Sequence, residues 1–198
     1  MIRWLDTLLH TTPPKPKKQH KHLVLVNPHK HFLSDSFAHL PNAWTQALPL
    51  FDHISIVMFE NRVPGPWSWF KNDKGAQRQE CEHLIKPEIW DDNMILHITH
   101  GHSLPGTLLM EIEDDTPWKR TDLTDADNRP LVHLAGLQTD LNILIAAAEL
   151  FDMGMNVEIL KDLCGSTNAT DHQRGLESLE KLLNKPCGVL TKHEHLNT

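Results

Sequence analysis

The sequence predicts a single α/β domain, a three-layer sandwich around a six-stranded parallel sheet. Short apolar runs alternate with longer segments of helical periodicity, which is typical of parallel sheets with crossover helices. The first apolar run, Leu23-Val-Leu-Val26, is continuous, as expected of a strand that is buried on both faces. The 198 residues fit one domain, and a hydrophobic content of 39% is sufficient for a core.

Six strands and three helices are predicted in order along the chain. The strands are placed at 22–27, 54–59, 94–98, 131–135, 157–160 and 188–191. The helices are placed at 36–49, 139–153 and 171–183, and Gly154 is a natural cap for the second. Ligands bind at the carboxyl ends of the strands in such sheets, so candidate site residues are sought directly after each strand.

The ends of the chain differ in composition from the rest. Residues 1–21 are rich in proline and lysine after a short amphipathic piece, which predicts a flexible or interface-forming extension. Residues 22–192 form the predicted domain, and residues 193–198 form a short tail.

Charge and cysteine content narrow the class of protein. A net charge of −7 argues against a general binder of nucleic acids or anionic membranes. No apolar run approaches the roughly 20 residues that a membrane-crossing helix needs. Three widely spaced cysteines suggest no disulfide framework. We therefore expect a cytoplasmic protein with a small-molecule ligand as its partner, rather than nucleic acid or a membrane.

Motifs at three strand ends resemble one known family. They are Leu23-Val-Leu-Val-Asn-Pro-His-Lys-His-Phe-Leu33, Ile95-Leu-His-Ile-Thr-His-Gly-His-Ser-Leu-Pro-Gly-Thr-Leu108 and Leu134-Ala-Gly-Leu-Gln-Thr-Asp-Leu-Asn-Ile143. Their order and spacing resemble those of the isochorismatase-like cysteine hydrolases over about residues 22–191. The resemblance implies the strand order 3-2-1-4-5-6 and assembly into homodimers or homotetramers.

The resemblance also implies where the catalytic triad of the family would lie. An Asp acts there as general base, a Lys stabilises charge and a Cys is the nucleophile. In this sequence those positions hold Asn27, Thr99 and Asn142. An amide accepts no proton near neutral pH and is no nucleophile, and threonine carries no charge. The sequence therefore predicts that the inherited cysteine-hydrolase chemistry has been lost.

Histidines offer one replacement for the missing triad. His29, His31, His100 and His102 follow the first and third strands, where imidazoles can bind a metal or act as general bases. The resemblance implies a metal site in nicotinamidases that uses an Asp-x-His pair after the second strand, and Phe59-Glu-Asn-Arg62 lacks that pair. A solvated or hydrogen-bonded histidine is the commoner case, so we predict neither a metal nor a cofactor.

Three further residues are candidates for ligand binding. Trp67 and Trp69 lie in an aromatic segment after the second strand, which is a lid, a subunit contact or a core plug. Gln138 belongs to the turn after the fourth strand, and the resemblance implies that backbone N–H groups of this turn form an oxyanion hole. A pocket for a carboxylate can thus survive without catalysis. Cys164, placed after the fifth strand, is interpreted as structural.

Two functional hypotheses follow. The first is a pseudoenzyme that binds a small carboxylate or amide, or that serves as an assembly subunit. The alternative is an active isochorismatase-like hydrolase with a rebuilt histidine-based or metal-assisted site.

Overall fold

The computed structural model describes residues 21–59, 83–85, 87–99, 103–114 and 129–190. The N-terminal extension up to residue 20 and the tail 193–198 lie outside the described residues. Among the described residues, no helix combines the length and apolar character needed to cross a membrane.

Five parallel strands form one sheet in the order β3-β2-β1-β4-β5. Each strand pairs with its neighbour in parallel register, and Val26, for example, lies opposite both Val57 and Gly136. This order confirms the one that the resemblance implies. The strands are β1 (His22–Val26), β2 (His53–Phe59), β3 (Met94–Thr99), β4 (Leu131–Leu137) and β5 (Asn156–Gly165).

The central strands are buried at almost every position. All five residues of β1 are buried, as are the last six of β2 and of β4. Successive side chains of a strand point to opposite faces, so this burial means that both faces of the sheet are covered. The predicted three-layer α/β arrangement is therefore confirmed.

In the described part of the chain, four α-helices accompany the sheet: α1 (Leu40–Ala47), α2 (Gly106–Asp114), α3 (Leu144–Asp152) and α4 (Ala169–Leu183). The buried Trp44 of α1 donates its indole N–H to the carbonyl oxygen of Leu163 in β5 at 2.9 Å. The side chain of Asn168 caps α4 by accepting the N–H of Asp171 at 2.9 Å. Gly154 follows α3 with a φ of 83°, which confirms its predicted capping position.

Several element boundaries differ from the predictions. The predicted helix 36–49 consists of two 3₁₀ turns, Asp35–Phe37 and Leu48–Leu50, on either side of α1. The predicted helix 139–153 begins as a π-helical turn, Thr139–Ile143, before α3. Helix α2 was not predicted. At the place of the sixth strand, the described residues hold an isolated parallel bridge between Leu160 and Gly188.

The position of Cys164 is also corrected. Strand β5 is ten residues long, so Cys164 lies inside it rather than after it. The apolar run was predicted to end before Lys161 and Asp162, but the strand continues through them. Lys161 is exposed, and Asp162 accepts the N–H of Leu190 at 3.1 Å, so neither charge interrupts the core.

Candidate functional site

Asn27 lies directly after β1 at the carboxyl edge of the sheet. It has a φ of 53°, a left-handed conformation that asparagine tolerates better than most residues. Its backbone N–H donates to the Val57 carbonyl at 2.7 Å, and its side-chain oxygen accepts the Phe59 N–H at 2.8 Å. The residue is only 2% exposed. The hydrogen bonds of Asn27 therefore connect the end of β1 to the end of β2.

Thr99 is the last residue of β3, on the other side of β2. It pairs in register with Phe59, the residue whose N–H contacts Asn27. The Thr99 hydroxyl donates to the Ser103 carbonyl at 3.0 Å. The structure therefore places Asn27 and Thr99, which the resemblance equates with two triad positions, at the same sheet edge, at the ends of two strands that both pair with β2.

The turn after β4 holds Asn142, the third triad-equivalent position. Gln138 has a φ of 62°, and its carbonyl accepts the N–H of Ile143 at 3.2 Å, which is the spacing of a π-helical turn. Asn142 is buried within this turn and donates its side-chain N–H to the side-chain oxygen of Gln138. Gln138 and Asn142, both singled out from the sequence, thus contact each other directly.

Contacts from β5 and α4 support this turn. The buried Thr139 donates its hydroxyl to the Gly165 carbonyl at 2.8 Å and lies 2.9 Å from Nδ1 of His172. Because the hydroxyl proton is directed to Gly165, Nδ1 of His172 donates to Thr139. Burial lowers the pKa of His172, and the nearby Asp140 carboxylate partly opposes that shift.

The close approach of α4 depends on Gly175. A Cβ atom at this position would lie 2.6 Å from the backbone nitrogen of Asp140, so only glycine lets the helix touch the turn. The Asp140 carboxylate also accepts the hydroxyl of Ser166. Gly175 and His172 are not predicted from the sequence, because they lie within a helix and not directly after a strand. The regular spacing of His172, Gly175 and Leu179 along one helix face was the available signal.

His29 is the predicted histidine with the most unusual environment. It is fully buried, and neither ring nitrogen has a hydrogen-bond partner among the described residues. Its ring centroid lies 4.4 Å from that of Phe32, and its backbone bridges to His83. Burial, with the nearby His31 and His83, lowers its pKa to about 4. The ring is therefore neutral at pH 7 and too weakly basic for general-base catalysis there.

Of the remaining predicted residues, the structure describes only His31, which is exposed. His100, His102, Trp67 and Trp69 lie outside the described residues, so their assignment to the site stays a prediction. In the part of the chain that the structure describes, no three His, Cys, Asp or Glu side chains are grouped to hold a metal ion.

Cys164 does not supply a replacement nucleophile. It is 2% exposed, and burial strongly raises its pKa. The reactive form of cysteine is the thiolate, which this environment disfavours. The geometry thus agrees with its interpretation as a structural residue.

The site has a defined chemical character. Asn27, Thr99, Gln138 and Asn142 supply neutral hydrogen-bond donors and acceptors, and none of the four is charged or basic near neutral pH. Such groups suit the recognition of a polar molecule better than proton transfer. This chemistry is consistent with ligand binding at the carboxyl edge of the sheet.

Comparison with known proteins gives one partial family match and many structural ones. A family model described as the isochorismatase domain matches residues 121–194, which include the turn after β4. The comparison of the sequence with curated proteins finds no match.

Three of the similar solved structures illustrate the range. An isochorismatase family protein from Desulfovibrio vulgaris has a TM-score of 0.67 at 11% identity, over 89% of this chain and 97% of that chain. An N-carbamoylsarcosine amidase from Thermoplasma acidophilum has a TM-score of 0.66 at 12% identity, over 86% and 96%. A nicotinamidase/pyrazinamidase from Bacillus subtilis has a TM-score of 0.64 at 14% identity, over 86% and 100%.

Proposed function

Since the chain has the isochorismatase-like fold and matches that family over residues 121–194, we propose that it binds a small amide or carboxylate without hydrolysing it. The observation that carries the proposal is the chemistry of Asn27. This residue stands where the family resemblance implies the general base, and its side-chain oxygen accepts the Phe59 N–H at 2.8 Å. An amide oxygen engaged in this way accepts no proton from a nucleophile.

The other two triad-equivalent positions support the same conclusion. The nitrogen lone pair of Asn142 is delocalised into its amide, so it cannot attack a carbonyl carbon as a thiolate does. The Thr99 hydroxyl donates to the Ser103 carbonyl and has no positive charge to stabilise an oxyanion. Loss of base, nucleophile and cation together removes every step of the inherited mechanism.

The same groups favour an amide over a carboxylate as the ligand. A primary amide offers one acceptor and two donors, which amide and hydroxyl side chains can complement. A carboxylate would enter without a cation at the position of Thr99. Two of the similar structures are named for amidases, one for nicotinamide or pyrazinamide and one for N-carbamoylsarcosine, which supports these compounds as first probes.

A combined binding and hydrolysis assay tests this proposal. The full chain is titrated with nicotinamide and with nicotinate by calorimetry, and both amides and isochorismate are screened for turnover. We expect nicotinamide to bind without turnover, and Asn142→Leu to weaken that binding about tenfold, since it removes a polar contact of the pocket.

Matched variants make the assay decisive. The triple variant Asn27→Asp, Thr99→Lys, Asn142→Cys restores the chemical groups that the resemblance implies, and any turnover it gains identifies the edge as the ancestral site. Turnover of any of these compounds by the unmodified protein would contradict the proposal.

The alternative is a hydrolase with a rebuilt histidine-based site. His29 is too weakly basic to be its general base, but its two ring nitrogens have no hydrogen-bond partner among the described residues, which leaves them able to bind a metal ion in such a site. Turnover that is abolished in His29→Ala or His100→Ala, or by a chelator, would establish this alternative. The resemblance also leads us to propose a homodimer or homotetramer, for which light scattering on the full chain is the measurement.

A further inference from the structure

A cavity of about 250 Å³ lies at the edge of the sheet opposite the candidate site. Its walls come from the segment before β4, the start of β5, the last turn of α3 and the end of α4. Its polar lining consists of Arg129, Asn156 and Lys185, and its apolar lining of Phe151, Met155, Val157 and Leu183. Each of these residues lies in the described part of the chain.

The charge of this cavity is positive. Two cationic side chains and no carboxylate occur among the described residues that line it. The ammonium group of Lys185 donates to the side-chain oxygen of Asn156 at 2.8 Å, which holds the charge at the wall. Glu158 is the acidic residue that acts on Lys185, and its carboxylate lies 3.6 Å from Nε2 of His133.

Helix ends do not cancel this charge. Helices α3 and α4 both end at the cavity, and each carboxyl end carries about half a negative charge. The two full positive charges of Arg129 and Lys185 exceed the combined partial negative charge of the two helix ends. Burial also lowers the pKa of Lys185, although Glu158 opposes the shift, so an anion beside the ammonium group would stabilise its charged form.

The apolar lining of the cavity indicates that the ligand also has an apolar part. Phe151 is 46% exposed, so its ring presents apolar surface to solvent at the cavity. A ligand that covers Phe151 and Leu183 would remove apolar surface from water. The volume lies below the roughly 300 Å³ of the smallest typical ligand pockets, so the ligand must be small.

We propose that this cavity binds a small monocarboxylate with an aromatic or short aliphatic tail. The carboxylate contacts Arg129 and Lys185, and the tail lies against Phe151 and Leu183. Arginine recognises a planar carboxylate through two parallel N–H donors. A compact dianion such as phosphate would leave the apolar wall uncovered. The site is separate from the amide site proposed above and does not depend on it.

Benzoate is the probe, and benzamide, acetate and inorganic phosphate are the comparisons. The full chain is titrated with each while backbone amide shifts are followed by NMR. We expect benzoate to shift residues 151–157 and 183–185, and to bind more tightly than the other three. Lys185→Met and Arg129→Gln should each weaken benzoate binding about tenfold or more.

Lys181→Met is the matched control, because Lys181 is exposed on the same end of α4 and does not line the cavity. It should leave benzoate binding unchanged, and thermal melting checks that every variant folds. Equal binding of benzamide or phosphate would overturn the proposal. Benzoate shifts confined to residues 137–142, or unchanged affinity in both cavity variants, would overturn it as well.

Discussion

The turn after β4 and the ends of β1 and β3 lie at the same edge of the sheet, but they differ in the kind of contact that their residues make. The end of β4 and the turn after it make a set of close contacts: Gly136 against β1, Thr139 against β5 and Gly175 of α4 against Asp140. The ends of β1 and β3 keep their position in the sheet, and their side chains, Asn27 and Thr99, form contacts within the protein.

This difference in contacts distinguishes residues that stabilise the fold from residues at positions where a catalytic group would be needed. A glycine that permits close packing is needed whether or not a reaction takes place. A base or a cation at a strand end is needed only for the reaction, and a neutral residue of similar size can replace it and add a hydrogen bond. Substitutions should therefore be costly at the first group and mild at the second.

The largest effect is expected at Gly136. Its φ is 129°, and a Cβ atom there would lie 2.0 Å from the carbonyl oxygen of Val26 in the neighbouring strand. Backbone strain and the steric clash together should lower the free energy of unfolding of Gly136→Ala by about 4 kcal/mol. Urea denaturation followed by circular dichroism measures this.

Gly106→Ala is the control, because among the described residues no atom beyond its chain neighbours and its own helix lies within 4 Å of a Cβ there. It should change stability by about 0.5 kcal/mol or less. Equal stability of the two variants would show that β4 and β1 can separate at Gly136, and the contrast between the two groups of residues would then fail.

The pH dependence of stability tests the region at the end of β1, where His29 follows Asn27 by two residues. Its pKa of about 4 in the folded state lies below the 6.5 of the unfolded chain, so between these values the unfolded state binds more protons. Stability from this group is complete above pH 6.5 and decreases as the pH falls towards 4. We expect a loss of about 2 kcal/mol at pH 5.

His29→Leu should remove that loss, because leucine binds no proton, and His39→Leu at an exposed position serves as control. Urea titrations at pH 7 and pH 5 provide the measurement. The positive charges of His31 and His83 lower the pKa of His29 in the same direction as its burial. An unchanged difference between the two pH values in His29→Leu would show that its ring is not buried in solution.

The apolar runs predicted the strands, and the family resemblance implied their order, which the five described strands follow. The triad-equivalent positions also come from the resemblance and stay a prediction. The sequence did not predict helix α2. The Gly-Thr-Leu-Leu segment at 106–109 was interpreted as a motif, although Leu108 and Ile112 have the spacing of one helical face and are buried. It also ended β5 early, because Lys161 and Asp162 interrupt the apolar run.

The part of the site that the sequence did not predict depends on long-range contacts. The π-helical turn differs from an α-helix by a single residue per turn, which hydrophobic periodicity does not resolve. The contact of His172 with Thr139 joins residues 33 positions apart. The burial of His29 results from packing against Phe32 and His83, and a His-x-His pattern alone gives no information about it.

A smaller effect is expected from Gly175→Ala on the supporting side of the turn. The added methyl group must displace α4 from Asp140, at a cost of about 2 kcal/mol, while the helix propensity of alanine returns up to about 1 kcal/mol. Denaturation should therefore show a net loss of about 1 to 2 kcal/mol. Ser178→Ala, at an exposed position of the same helix, should cost less. A net gain in stability would mean that α4 moves away from the turn freely.

The smallest effect is expected for Asn142→Cys, which places the nucleophile of the family resemblance in the turn. The substitution removes one side-chain hydrogen bond to Gln138, whose half-buried amide can instead bind water, so the loss should be about 1 kcal/mol or less. Thr139→Val, three residues earlier, removes the contacts of a fully buried hydroxyl with Gly165 and His172 and should cost about 2 kcal/mol. Thermal melting of both variants shows whether loss of the Thr139 hydroxyl lowers stability more than loss of the Asn142 amide. The reverse order would make Asn142 a residue that holds the fold, and its presence would then need no functional explanation.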